Sequence, residues 1–455
     1  MHKTLGQKIF GSKLYPRLPQ ALVLYIFFYI IFALLWGPDD TATNFGLVSI
    51  WILWWPLIPL TFVLLGRVWC ALCPWGAITD WLQSHFCLGI KVPGWIKKYG
   101  IWIIFSGFMF LTWYELAFGV TSSRLVTAAV LLSILSLALL SGFLFEKRVW
   151  CRYLCPLGGI FGNYAQTAIV EFRGTPDKCR ECKDVYCLKG SESAPGCSLK
   201  EFPKNMDSNR LCNLCGDCVK NCQNNSPRLR LRLPGRELWE KSQAKLDEAL
   251  LSALLVGIIL ISGFGMLEFW VGWQDKASQL SGLSKPWLTT IVFVLFGLGS
   301  FLLTYAASYF SSRSTGGSVI NNFSIFGYAL IPLNLATHMA HNLFHFLGEG
   351  RNILRAALAL FSQQQVEAAQ VSAKHIGHSA TSALVPTAVI QSLQFVLMFV
   401  GFATSVYVAW QIAKKMVGAK DKNGLRGALV PHIVIILAFS VISLIMFVSP
   451  MATRH

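Results

Sequence analysis

GRVWCALCPWG, residues 66–76, closes a long apolar run, and KRVWCRYLCPLG, residues 147–158, writes it again 81 residues on (Cys70 to Cys151). Each copy sets Arg-Val-Trp-Cys, a second cysteine and a proline at the exit of an apolar segment. That placement makes sense if the apolar segments cross a membrane, and composition agrees. Of 455 residues, 54% are apolar and 13% charged, with a mean hydropathy of +0.52. A soluble domain carries roughly 25% charged residues. Length alone would suggest about three soluble domains; the composition is that of a polytopic membrane protein instead. The net charge of +17 gathers in particular loops, a sign of membrane orientation and not of nucleic-acid binding.

A helix needs about 20 apolar residues to cross the hydrocarbon. Nine runs qualify: 19–37, 46–66, 100–120, 125–145, 249–272, 287–309, 319–346, 384–412 and 428–449. Lys3, Lys8, Lys13 and Arg17 precede the first, with no acid and no cleavage site among them, so an uncleaved anchor with its N-terminus in the cytoplasm is expected. Asp39 and Asp40 fall in the first outer loop, while Arg67, Lys91, Lys97 and Lys98 fall in the next inner one. Lys414, Lys415, Lys420, Lys422 and Arg426 mark another inner loop. The positive-inside rule then puts the C-terminus outside a bacterial-type cytoplasmic (inner) membrane.

Spans one and two, and spans three and four, form a duplicated hairpin. Arginine at each end suits phosphate headgroups and tryptophan the interface. Proline after the second cysteine breaks the helix, which would expose the thiols. Cys70, Cys73, Cys151 and Cys155 are open to several readings. They are buried small residues at helix ends, a metal or further iron–sulfur site, a redox dithiol pair, or a docking surface for a redox partner. Two residues separate the cysteines in the first copy and three in the second, so a symmetric site is not expected. Cys87 is left as an unliganded thiol.

Eight of the thirteen cysteines lie between spans four and five. CRECKDVYC (179–187) is followed by Cys197 and then CNLCGDCVKNC (212–222). The last run has the Cys-x2-Cys-x2-Cys-x3-Cys spacing of bacterial ferredoxins, in which the distant fourth thiolate ligates the other cube. Crossed ligation gives Cys179, Cys182, Cys187 and Cys222 for one [4Fe-4S] cluster, and Cys212, Cys215, Cys218 and Cys197 for the other. Two departures stand out: four residues separate Cys182 from Cys187, and Gln223 follows Cys222 where proline is usual. Zinc is the competing reading, since paired Cys-x2-Cys motifs are common there. Zinc ribbons do not pack four cysteines into eleven residues. Cluster ligation also places the segment on the reducing side of the membrane.

With twin Cys-Pro motifs on four spans and two ferredoxin-type runs behind them, the sequence resembles the NapH/MauN membrane ferredoxins. It is similar as well to the membrane half of NosR and to FixG/CcoG-type proteins. The resemblance covers roughly residues 20–225, about half the chain. Those families carry Cys-x3-Cys-Pro in both copies; here only Cys151–Cys155 conforms, and there is no room for the periplasmic flavin domain of NosR. The resemblance implies electron relay between a quinol or cytoplasmic donor and another redox protein, or, in the FixG/CcoG branch, metal-ion reduction during oxidase assembly. It does not reach the last 210 residues.

Beyond the cysteines, RLRLRLPGR (228–236) alternates Arg with Leu, which puts its cations on one face of an extended segment. Anionic lipid headgroups are the expected neighbour of that face, an acidic redox partner the alternative. NLATHMAHNLFHFLGEG ends the seventh span with His338, His341 and His345, within about 60° of one another on a helix. His375 and His378 follow in the next loop, three residues apart. Taken singly, each is a hydrogen-bonded interfacial residue; as a set they suit haem b, copper or a quinone headgroup. His338 and His345 stand about 10 Å apart along the axis, too far for one small ion. Glu115, Glu268, Asn334, Gln391 and Gln394 fall at the same depth, where ionisable groups usually face a cavity. His432 stands apart.

The expected architecture is an all-α polytopic membrane protein of about nine transmembrane helices with an inserted bacterial-ferredoxin-like domain holding two [4Fe-4S] clusters. Its parts are a basic tail (1–18), the duplicated hairpins (19–165), the ferredoxin-like domain (166–247) and a C-terminal bundle with the histidine-rich helix (248–455). No catalytic base, nucleophile or phosphate loop is visible. The expected function is electron relay between the cytoplasmic-side clusters and a quinone, haem or metal site in the membrane or at its outer face. A copper or iron reductase or assembly factor is the alternative, and a transporter with structural metal sites a third reading.

Overall fold

The computed structural model describes residues 5–240, 244–360, 383–418 and 421–450. His375 and His378 lie outside the described residues. Among those described, nine helices are long and apolar enough to cross a membrane: Arg17–Trp36, Phe45–Leu65, Gly94–Phe118, Arg124–Leu144, Leu246–Phe264, Lys285–Thr315, Val319–Gly348, Thr387–Val417 and Lys422–Val448. The chain is all-α apart from two short strand pairs. The fifth span ends earlier than its hydropathy suggests. Residues 249–272 divide at Gly265 into the Leu246–Phe264 helix and a separate Glu268–Ser281 helix. Glu268 therefore opens a separate helix as an exposed residue, outside the candidate spans.

Two compact units divide the chain. The first comprises Met1–Tyr29, Thr61–Gly107 and Val130–Lys241, and holds every cysteine. Its cysteine-rich segment is closed by its own ends. Strand β1 (Val170–Arg173) pairs antiparallel with β4 (Arg228–Leu231), Val170 opposite Leu231 and Arg173 opposite Arg228. Between them a two-residue hairpin joins β2 (Gly190–Ser191) to β3 (Ala194–Pro195). Phe10 packs edge-on against Phe172, with ring centroids 4.9 Å apart, and so docks the Leu5–Phe10 helix on this segment. Gln7 donates to Pro227 O (3.1 Å) and Tyr15 to Leu214 O (3.0 Å).

The alternating arginines do not all face outward. Arg232, its side chain 5% exposed, bonds Glu171 (3.3 Å) and Glu237. Arg173 joins the same two carboxylates at 3.2 and 2.7 Å, and Glu237 also accepts from Ser208 Oγ and Asn209 N. Arg232 is thus a member of a buried ionic network and cannot lie against headgroups. Arg230 is exposed within the strand, whereas Arg232, one residue past its end, turns into the domain.

The second unit comprises Ile30–Leu60, Phe108–Ala129 and Ser242–His455. Its helices are joined by the amides singled out in the sequence. Asn334 donates to Ser252 O (2.7 Å), Gln394 to Ala340 O (2.9 Å) and Gln391 to Phe447 O (3.4 Å). These are helix-to-helix bonds, in which a side chain in an apolar medium finds a carbonyl on a neighbour. The seventh span is broken at Gly327–Leu330, and Pro332 starts its second part, Ile331–Gly348. The amphipathic Arg351–Ala359 helix buries Ala356 against Val48 and Ile52.

Candidate functional site

The two Cys-Pro motifs meet in the first unit, and the extra residue of the second copy is absorbed locally. CALC forms an ordinary helical turn, Trp69–Leu72. CRYLC forms a wider π turn, Trp150–Leu154, closed by Cys155 N–H on Trp150 O at 2.8 Å. Both second cysteines then reach the same extended backbone, with φ −58° and ψ 126° at Cys73 and φ −65° and ψ 116° at Cys155. A residue before proline is held there by its clash with the ring. Each proline then leads into a helix, Pro74–Phe86 or Leu157–Ala165. The unequal spacing therefore does not forbid a symmetric site, because the π turn takes up the difference.

The arginines cross between the copies. Arg67 donates through Nη2 to Cys151 O (3.4 Å), and Arg148, its counterpart, through Nη1 to Cys70 O (3.2 Å). A β-carbon at Gly158 would stand 3.3 Å from Arg67 Nη2, and one at Gly76 would stand 3.5 Å from Arg148 Nη1. Arg67 also donates through Nε to Cys70 Sγ (3.1 Å) and through Nη1 to Arg210 O (3.0 Å). Arg148 is paired with Asp80, Nε to Oδ1 at 2.7 Å. Neither cation reaches headgroups, since Arg67 is 1% exposed and Arg148 4%. Nor are the thiols exposed: Cys151 is buried and the other three half-buried. The prolines start helices and leave the sulfurs inside the fold.

Burial and then the neighbouring sulfurs Cys151 and Cys70 push the Cys73 thiol up to about 12. Burial likewise raises Cys155, with Cys151, Cys70 and Cys73 adding to it. Four sulfurs from two motifs thus sense one another. Cys87 stands apart, its Sγ 3.3 Å from Phe145 O.

In the cysteine-rich segment, Cys179, Cys182, Cys187 and Cys222 line one pocket, with Lys178, Val185, Lys204 and Ser226 among its other walls. It encloses about 330 Å³ free of protein atoms, counting the part open to solvent. Ser226 bonds two of these sulfurs, Oγ with Cys179 Sγ at 3.1 Å and N–H to Cys222 Sγ at 3.3 Å. Burial, then Cys222, Cys182 and Cys179, push Cys187 up to about 11. Burial and then its neighbours Cys215, Cys212, Cys197 and Cys187 raise Cys218 well above the usual thiol range. Cys197 Sγ itself lies 3.3 Å from Glu201 O. Among the described residues no three histidine, cysteine, aspartate or glutamate side chains are gathered as the ligands of a single ion, the arrangement zinc requires.

The histidine helix divides. His341 and His345 face each other with ring centroids 5.3 Å apart, and His345 Nδ1 lies 3.4 Å from Glu349 Oε1. His338 packs edge-on to Trp55 instead, at 6.0 Å. His432 is stacked flat on Phe326 at 3.9 Å. Sequence reasoning missed the crossing arginines and Asp80. The recurrence of Arg before Val-Trp-Cys in both copies was their signal.

A family described as a 4Fe-4S binding domain matches residues 48–96 and again 127–168, the two stretches that hold the Cys-Pro motifs. The ferredoxin-type protein NapH of Escherichia coli K12 is 27% identical over 182 residues, 36% of this chain and 63% of its own length. Over about a third of its length this chain is similar to NapH. NapH of Haemophilus influenzae is 24% identical over 183 residues, again 36% of this chain and 63% of the relative. The protein NirI of Paracoccus denitrificans is 29% identical over 162 residues, 30% of this chain and 23% of the relative. The chain thus spans less than two thirds of each of these relatives. No solved structure matches it. The family match and the cysteine donor set support an iron–sulfur protein, on a chain whose described residues include nine helices long and apolar enough to cross a membrane.

Proposed function

We propose that this chain is a membrane-bound electron-transfer protein. Cys179, Cys182, Cys187 and Cys222 hold one [4Fe-4S] cluster, and Cys212, Cys215, Cys218 and Cys197 hold the other. The observation that carries the reading is the pocket in which Cys222, 35 residues from Cys187, lines the same wall as the first run. That crossing is the ferredoxin pattern, and sulfurs not gathered around one ion fit a polynuclear centre better than zinc. When bound, such clusters pass one electron at a time and need no proton.

The protein's own residues tune and shield them. Ser226 donates to sulfur, which favours the reduced, more negative state. Lys204 bonds Cys182 O at 2.9 Å and Lys178 bonds Asn224 O at 2.9 Å, bracing the loops that carry the thiolates. The NapH relatives are ferredoxin-type proteins by name, which supports a redox partner protein for this chain. The N-terminus and cysteine-rich segment lie in the cytoplasm of a cell with a bacterial-type inner membrane, and the C-terminus lies outside. His341 and His345, with His338 on the same helix, serve the other end of the route. There a quinone headgroup, haem b or a copper ion exchanges the electron.

The test is reoxidation of the anaerobically reduced, purified protein, followed by its visible absorbance. A soluble quinone should restore the oxidised spectrum in seconds, and His345→Ala should slow this at least tenfold with the iron content unchanged. Reoxidation by Cu(II) but by no quinone or cytochrome would favour the metal-reductase alternative. A protein that none of these reoxidises is not an electron carrier.

A further inference from the structure

We infer that Cys70, Cys73, Cys151 and Cys155 hold a third [4Fe-4S] cluster, next in line to the one at Cys212, Cys215, Cys218 and Cys197. The inference rests on the two-cluster reading and extends it. It begins with Arg67, 1% exposed. Its three nitrogens donate to Cys70 Sγ, Cys151 O and Arg210 O, and among the described residues no carboxylate pairs with it. A buried guanidinium needs a counter-charge, and the Cys70 sulfur stands 3.1 Å from this one's Nε.

Three occupants of the sulfurs were open. Free thiols or a disulfide pair are neutral and leave Arg67 without a counter-charge. A single ion needs ligands gathered within about 2.3 Å of one point, which these four do not provide. A cube ligated by four thiolates is larger and carries net negative charge in both its oxidation states. Four sulfurs, one from each end of two pseudo-symmetric motifs, suit it.

The surroundings fit an anion as well. Arg148 comes from the opposite copy. Cys73 stands at the N-cap of the thirteen-residue Pro74–Phe86 helix, the end whose dipole favours negative charge. Trp75, 5% exposed, has an indole N–H with no hydrogen-bond partner among the described residues. Such a donor is of the kind that bonds cluster sulfur.

The order of the centres follows from the bonds that join their loops. Arg67 bonds the carbonyl of Arg210, two residues before Cys212, which sets the Cys-Pro motifs beside the second cysteine run, while Cys222 of that run lines the pocket of the first. The sequence is therefore the Cys179 site, the Cys212 site, the Cys-Pro site. One electron leaves the reduced centre at Cys212, Cys215, Cys218 and Cys197 and arrives at the Cys-Pro centre. No bond forms or breaks.

The experiment is iron and acid-labile sulfide analysis of the full chain purified without oxygen, beside Cys70→Ala/Cys155→Ala, with spin counts of the reduced proteins. The wild type should hold about twelve iron and twelve sulfide per chain, three cubes. The variant should hold about eight, with spins falling from three to two. Wild type with eight iron, and with Cys70, Cys73, Cys151 and Cys155 all open to alkylation, would overturn the third cluster and leave the other two standing. Twelve iron in both proteins would overturn the ligand assignment. Absence of sulfide would remove the two-cluster reading as well.

Discussion

Among the described residues Asp80 is the only carboxylate bonded to either crossing arginine, and its role is electrostatic. It accepts from Arg148 Nε at 2.7 Å while Arg148 also bonds Cys70 O. Removing a negative charge beside a cluster favours the reduced form, which carries the extra electron. Asp80→Asn should therefore raise the midpoint potential of the Cys-Pro centre alone, read by redox titration of its reduced-state signal. An unchanged potential would place Asp80 outside its influence. Arg67 is also structural. Arg67→Met strips donors from two buried carbonyls, at about 1–3 kcal/mol each, so the thermal midpoint should fall by several degrees and the iron count with it. The sequence made the arginines visible, twice in the same place. It could not show that they exchange partners between copies, because burial depends on how two hairpins pack. An arginine at a span end reads as a headgroup ligand until that packing is known.

The π turn at Trp150–Leu154 explains why the duplicated units tolerate unequal spacing. One residue on a helix turns the chain by about 100°, and the wide turn cancels that rotation before Cys155. Deleting Arg152 to give Cys-x2-Cys in the second copy should swing Cys151 away from its partners and cost one cluster, about four iron per chain. The chain should still insert in the membrane, which a fluorescent C-terminal fusion would report. Retention of all iron would mean the turn is only a packing detail. The strand pair β1–β4 is sealed by Glu237, 7% exposed and bonded to Arg173, Arg232, Ser208 and Asn209. Glu237→Ala leaves two buried cations with Glu171 alone as counter-charge and takes the acceptor from Ser208 and Asn209, a loss of about 3 kcal/mol. Limited proteolysis should then cut between residues 170 and 240, with release of iron, under conditions that leave the parent intact. Here the alternation in RLRLRL announced a strand correctly. Which arginine faced the acids depended on a register set by residues 170–173, some sixty positions away.

On the scale of the molecule, the nine spans were legible because hydrocarbon thickness imposes a length that composition cannot hide. Their ends were less so. The fifth run hides a turn at Gly265 between two helices, and hydropathy averages across it. The histidines were legible as one face of a helix. The structure pairs His341 with His345 and gives His338 to Trp55, a division that neighbouring helices decide. The lysine-rich loops support the proposed orientation. A single cysteine introduced at residue 240, in a chain whose Cys87 is replaced by alanine, should react with an impermeant maleimide only in inside-out vesicles. Reaction in intact cells would reverse the threading.

All of these expectations assume that sulfur in this chain is bound to iron as cubes. The most direct measurement is iron, zinc and acid-labile sulfide together, on protein purified without oxygen. The account predicts sulfide equal to iron, zinc below one atom per chain, and loss of both iron and sulfide in Cys182→Ala. Zinc in stoichiometric amount with no sulfide would contradict it.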